Sequence, residues 1–141
     1  MNKIITFQDN NEQIVKTSNY GKKRIMIVDD EPDITLTFKM VLEDTGLYDV
    51  YTFNEPLKAL ANFKADLYDL VISDINMPRM NGYEFGQRVK EIDNDRKICF
   101  LTASEDYYYS NINRKQRRTE YFLRKPIETG EFINQMNSIL Q

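Results

Sequence analysis

The sequence predicts an α/β domain in which a parallel sheet is covered by helices on both faces. Three observations carry that prediction. Five short apolar runs alternate with five stretches of helical spacing, the order that builds parallel βαβ units. Two of the runs, residues 24–28 and 70–73, are nearly continuous in Ile, Val, Leu and Met, as in strands buried on both faces. No repeat or low-complexity segment interrupts the alternation.

Residues 1–22 differ from the rest. Ile4, Ile5 and Phe7, then Ile14 and Val15, lie in β-prone runs flanking residues 9–12. That pattern suits a hairpin or a loosely attached arm, and a lone two-stranded hairpin is only marginally stable. Gly21 marks the boundary, so the expected organisation is an extension over 1–22 and one domain over 23–141. The first buried strand, 24–28, ends in Asp29-Asp30-Glu31-Pro32-Asp33. Ile34, Phe38, Val41 and Leu42 give the helical stripe that follows, and Gly46 closes it. Residues 48–53 are the second strand. Asn54 is an expected N-cap, with Leu57, Leu60 and Ala61 as the next stripe and Pro56 tolerated in the first turn. The third strand covers 68–73 and breaks on Asp74. After the Asn81-Gly82 turn, a helix over about 83–91 carries Phe85, Val89 and Ile92 on one face. The fourth strand, 97–101, leads to Thr102, and a helix is expected over 105–115. The fifth strand, 121–124, runs into Lys125-Pro126. Phe132, Ile133, Met136, Ile139 and Leu140 stripe a final helix over about 128–140, capped by Thr129 or a neighbour. No second domain is expected downstream of it.

Composition narrows the chemistry. The 141 residues suit about one domain with a real core, and 41% hydrophobic with 29% charged residues is ordinary for a soluble globular chain. A net charge of −3 argues against a polyanion binder as a whole. The single cysteine, Cys99, lies in an apolar run, which reads as a small buried hydrophobe in a reducing, cytoplasmic compartment. No apolar stretch approaches the roughly 20 residues of a membrane span, and the N-terminus lacks an apolar signal core. There is no histidine. Triads built on histidine, histidine metal sites and a phosphohistidine carried by this chain are therefore excluded. Carboxylates, hydroxyls, lysine and a hard metal ion remain.

Those groups fall at the carboxyl ends of the predicted strands: Asp29 and Asp30 after the first, Asp74 after the third, Thr102 after the fourth, Lys125 after the fifth. In a doubly wound sheet these ends share one edge. Taken singly, Asp74 could start a turn, Asp29 and Asp30 could cap a helix, Thr102 could bond to backbone, and Lys125 could be solvated. Together, three converging carboxylates require a cation. Mg²⁺ fits, because it takes one or two carboxylates, keeps waters and accepts phosphate oxygens. Lysine adds a positive charge and threonine a hydroxyl donor. The set suits a held phosphoryl group, with Asp74 as carboxylate nucleophile.

These motifs resemble the receiver domain of two-component response regulators. They are Ile27-Val28-Asp29-Asp30-Glu31, Ser73-Asp74-Ile75-Asn76-Met77-Pro78 with Gly82, Leu101-Thr102-Ala103, and Lys125-Pro126, within about residues 23–141. The resemblance implies a flavodoxin-like sheet with strand order 2-1-3-4-5. It implies that Asp74 accepts phosphate from the phosphohistidine of a sensor histidine kinase or phosphotransfer protein. Asp30 and Asp74 would bind Mg²⁺ directly, Asp29 through water, and Asn76 through its main-chain carbonyl. Thr102 and Lys125 would hold phosphoryl oxygens. Thr102 and Phe122 would form the switch, Phe122 turning inward as Thr102 moves toward the phosphoryl group. On this reading the chain is not an enzyme but a signalling phospho-acceptor that catalyses its own phosphorylation and dephosphorylation.

In the family, the fourth helix, fifth strand and fifth helix form the output face. Here that region departs from the usual small residues: Tyr107-Tyr108-Tyr109 precede Arg114, Lys115, Arg117 and Arg118. A solvated charged face explains such a run. As a partner face it suits an acidic protein, a second copy of the chain or, ranked lower, nucleic acid phosphates. The output would pass to a separate protein or to an output domain outside this chain. Two other classes compete. A Mg²⁺-dependent aspartyl-phosphate phosphatase needs an acid two residues after its nucleophile, and that position is Asn76. A receiver-like module that works without phosphorylation predicts no binding of Mg²⁺ or phosphoryl analogues.

Overall fold

The computed structural model describes residues 3–9, 12–18, 21–104 and 119–141. The first two strands, β1 (Lys3–Asp9) and β2 (Glu12–Ser18), pair antiparallel as a two-stranded sheet.

The main sheet has five parallel strands: β3 (Lys23–Val28), β4 (Tyr48–Phe53), β5 (Leu70–Asp74), β6 (Lys97–Thr102) and β7 (Glu120–Arg124). Their order is β4-β3-β5-β6-β7, which is the expected 2-1-3-4-5. The central strands are apolar because helices cover both faces. All of β5 is buried, and so is β3 from Arg24 onward.

Four helices are described: α1 (Pro32–Asp44), α2 (Pro56–Asn62), α3 (Gly82–Ile92) and α4 (Thr129–Ile139). The helix expected over 105–115 lies outside the described residues. On one face α1 and α4 meet over Ile25, Ile27, Leu70, Ile72 and Leu101, with Phe38 stacked on Phe132 at 4.4 Å between ring centroids. On the other face α2 and α3 pack over Met26, Val28, Val71 and Phe100. Cys99 is fully buried in β6, and burial raises its thiol pKa. No helix among the described residues is long and apolar enough to cross a membrane.

Two local expectations need correction. The buried stripe of α2 is Pro56 and Ala59, continuing to Phe63; of the expected stripe Leu60 packs on the core, half-buried, while Leu57 is 60% exposed and Ala61 faces solvent. The helix also starts one residue later than an Asn54 cap would place it. The N-cap of α2 is Glu55, and no side chain caps it. The Asn54 side chain turns instead toward the strand ends described next.

Candidate functional site

The loop after β3 carries the first two acids. Asp29 is buried, and its Oδ1 accepts from the Glu31 amide at 3.0 Å, which turns the chain into α1. Asp30 is less buried than Asp29. Asp74 closes β5 and is buried. Carboxylate oxygens of Asp29, Asp30 and Asp74 all lie within 4.8 Å of one another. Lys125 follows β7, and its amide donates to Thr102 O at 2.8 Å. Its Nζ reaches Asp29 Oδ2 at 2.9 Å and Asp74 Oδ1 at 3.3 Å.

The electrostatics follow from burial. Burial raises the pKa of Asp74; the Lys125 ammonium opposes that rise, and the charges of Asp29 and Asp30 add to it. For Lys125, burial works against the ammonium, yet the hydrogen bond and charge of Asp29, then those of Asp74, raise its pKa. Three carboxylates against one ammonium leave two negative charges unmatched when all are ionised. An all-oxygen set of this kind fits a hard divalent cation such as Mg²⁺.

Thr102 ends β6, is 1% exposed, and its Oγ1 accepts from the Ser104 amide at 3.1 Å. The Thr102 hydroxyl therefore keeps its own proton for donation. Asn76 is exposed on the loop two residues past Asp74. Phe122, on β7, is buried beside Phe100 at 5.3 Å and Tyr83 at 6.4 Å. Tyr107, Arg114, Lys115, Arg117 and Arg118 lie outside the described residues.

The comparison with protein families agrees with this fold. Residues 25–137 match the model of the response regulator receiver domain. The chain belongs to that family. The receiver is 30% identical over 118 residues to the response regulator receiver protein CpdR of Brucella abortus, covering 84% of this chain and 97% of the relative. It is also 30% identical to the transcriptional regulatory protein TrcR of Mycobacterium tuberculosis, but spans only 45% of that longer protein. Among solved structures, the chemotaxis protein CheY4 of Vibrio cholerae superposes with a TM-score of 0.69 at 26% identity, over 84% of this chain and 99% of that one.

Two residues support this receiver's site through contacts that spacing alone does not indicate. Asn54 Nδ2 donates to Asp29 O at 2.8 Å and to Thr35 Oγ1 at 3.1 Å, tying the end of β4 to the acidic loop. The sequence holds no signal for this, because an Asn before a helix reads as a cap. Gly82 reads as a turn residue and as part of the motif that follows Asp74, but neither reading gives its contact. Its amide donates to Ile75 O at 2.8 Å, which brings the start of α3 against the backbone of the Asp74 strand end.

Proposed function

We propose that this receiver is a phospho-accepting switch in a two-component pathway, spanning residues 23–141 with 1–22 as an extension. The carrying observation is the Lys125 ammonium set between buried Asp29 and Asp74, with Asp30 in the same cluster. A carboxylate oxygen of Asp74 attacks the phosphorus of a donor phosphohistidine. The P–N bond breaks as the O–P bond forms, and the imidazole leaves with the donor, a sensor histidine kinase or phosphotransfer protein. The product is an acyl phosphate on Asp74.

Asp29, Asp30 and Asp74 would hold Mg²⁺, with the Asn76 carbonyl as a further oxygen. The metal supplies charge neutralisation for the phosphoryl oxygens. Lys125 shifts its hydrogen bond from Asp74 to one phosphoryl oxygen, and the Thr102 hydroxyl donates to another. A Thr102 that moves toward the phosphoryl group alters the packing around Phe122, which carries the state toward β7. The output is contact with a protein partner or an output domain in the cytoplasm, and residues 107–118 are the candidate face.

Incubation with Mg²⁺ and a small acyl phosphate, followed by intact mass, tests the reading. One phosphoryl adduct on the wild type, absent from Asp74→Asn, is expected. A wild type without adduct, or an undiminished adduct on Asp74→Asn, overturns it.

A further inference from the structure

The β4 edge of the main sheet carries a feature that phosphoryl transfer does not use. Along a strand, successive residues send their backbone N–H and C=O to opposite sides. Phe53 turns its carbonyl toward β3, where it accepts from the Asp29 amide at 3.1 Å. Alternation then sends the amide and carbonyl of Val50 to the open edge. Both are taken by α1. Glu43 Oε2 accepts from Val50 N at 3.2 Å, and Lys39 Nζ donates to Val50 O at 2.7 Å. The same Glu43 oxygen accepts from Lys39 Nζ at 3.1 Å, so hydrogen bonds close a ring about Val50. The two side chains are 37% and 39% exposed, so their ion pair alone contributes little to stability. What it covers is the strand edge.

An uncovered edge is a template for strand addition. β4 reads Tyr-Asp-Val-Tyr-Thr-Phe, a composition that favours pairing. A two-fold axis at Val50 would set β4 antiparallel to β4 of a second copy, with Tyr48 opposite Thr52. Val50 would then exchange both of its hydrogen bonds with its counterpart. Such an isologous pair needs one central residue with donor and acceptor both available, and the ring takes both from that one residue. We propose that the Lys39–Glu43 pair is a clasp that closes the β4 edge against pairing with a second copy of this chain.

The test uses the full chain with Lys39→Ala/Glu43→Ala, and with the swap Lys39→Glu/Glu43→Lys. The swap keeps an ion pair but sets an ammonium against the Val50 N–H and a carboxylate against its carbonyl. Sedimentation velocity and amide exchange at Val50 are followed over a range of protein concentration, with circular dichroism reporting the fold. In the wild type, Val50 should be protected at every concentration. In the variants its exchange should be about fivefold faster in dilute solution, the scale of one hydrogen bond lost. It should slow again as concentration rises, in step with a dimer boundary. Unchanged exchange in both variants overturns the clasp. Fast exchange without a dimer, or protection that returns without concentration dependence (as from the chain's own hairpin), overturns the second copy as the excluded partner.

Discussion

The Cβ that Gly82 lacks would stand 2.2 Å from the carbonyl oxygen of Asp74. The next contact, Ile75 Cα at 2.8 Å, is also backbone, so no side chain can swing aside. Glycine at the start of α3 is what lets the helix seat against the strand end that carries the acid.

Gly82→Ala should therefore cost about 3 kcal/mol, the upper range of overpacking, and lower Tm by roughly 10 °C. The same variant should accept less phosphate from an acyl phosphate, because the displaced backbone is that of Asp74. Thermal denaturation and intact mass check the two effects separately.

Asp74→Asn should raise the Tm of the chelator-treated protein at neutral pH. The folded pKa of Asp74 is raised, by burial first, with Asp29 and Asp30 adding to it against Lys125. A group with a raised folded pKa contributes stability below its unfolded pKa and loses it as pH rises through the folded one. The gain from Asp74→Asn should thus be present at pH 7 and vanish in acid. Mg²⁺ at a hundred times its Kd should stabilise the wild type by about 2.7 kcal/mol and Asp74→Asn by less. A Tm series over pH, with and without Mg²⁺, reads both.

Asn54→Ala removes the donor shared by Asp29 O and Thr35 Oγ1. A loss of about 1 kcal/mol is expected, with weaker Mg²⁺ binding, since the Asp29–Asp30 loop loses its tie to β4. Isothermal titration with Mg²⁺ separates the two, because a purely structural role would leave affinity unchanged.

Asp93 marks a second pH-dependent site, remote from the acids. Burial opposes its ionisation, but the Asp66 amide at 3.1 Å and Arg96 Nη2 at 2.7 Å, with the Asp95 amide, hold the carboxyl below its usual value of 3.8. A depressed folded pKa gives stability that is present above the unfolded value and lost as pH falls through the folded one. Asp93→Asn should cost about 1 kcal/mol at pH 7 and flatten the fall in stability below about pH 4. Urea unfolding across that range provides the check.

The strands were legible because burial on both faces leaves continuous apolar runs, as in β5, and the strand-end acids were legible because the first and third runs each break on one. What the sequence hid depends on side-chain direction. Leu57 reads as core by spacing, yet Pro56 and Ala59 take the buried face and Leu57 meets solvent. Asn54 reads as a cap, yet its amide serves a loop 25 residues earlier. Hydrophobic periodicity reports which face of an element is apolar; it carries no information on which polar groups meet across the fold.

Cys99 has a practical consequence. It lies inside β6 at 0% exposure, with its thiol held protonated by burial. The thiolate, the form that reacts with alkylating reagents, is therefore scarce there. A cysteine introduced on the surface would be the single reactive thiol of the folded chain, so a spectroscopic probe could be attached near the acidic cluster without first removing the native residue.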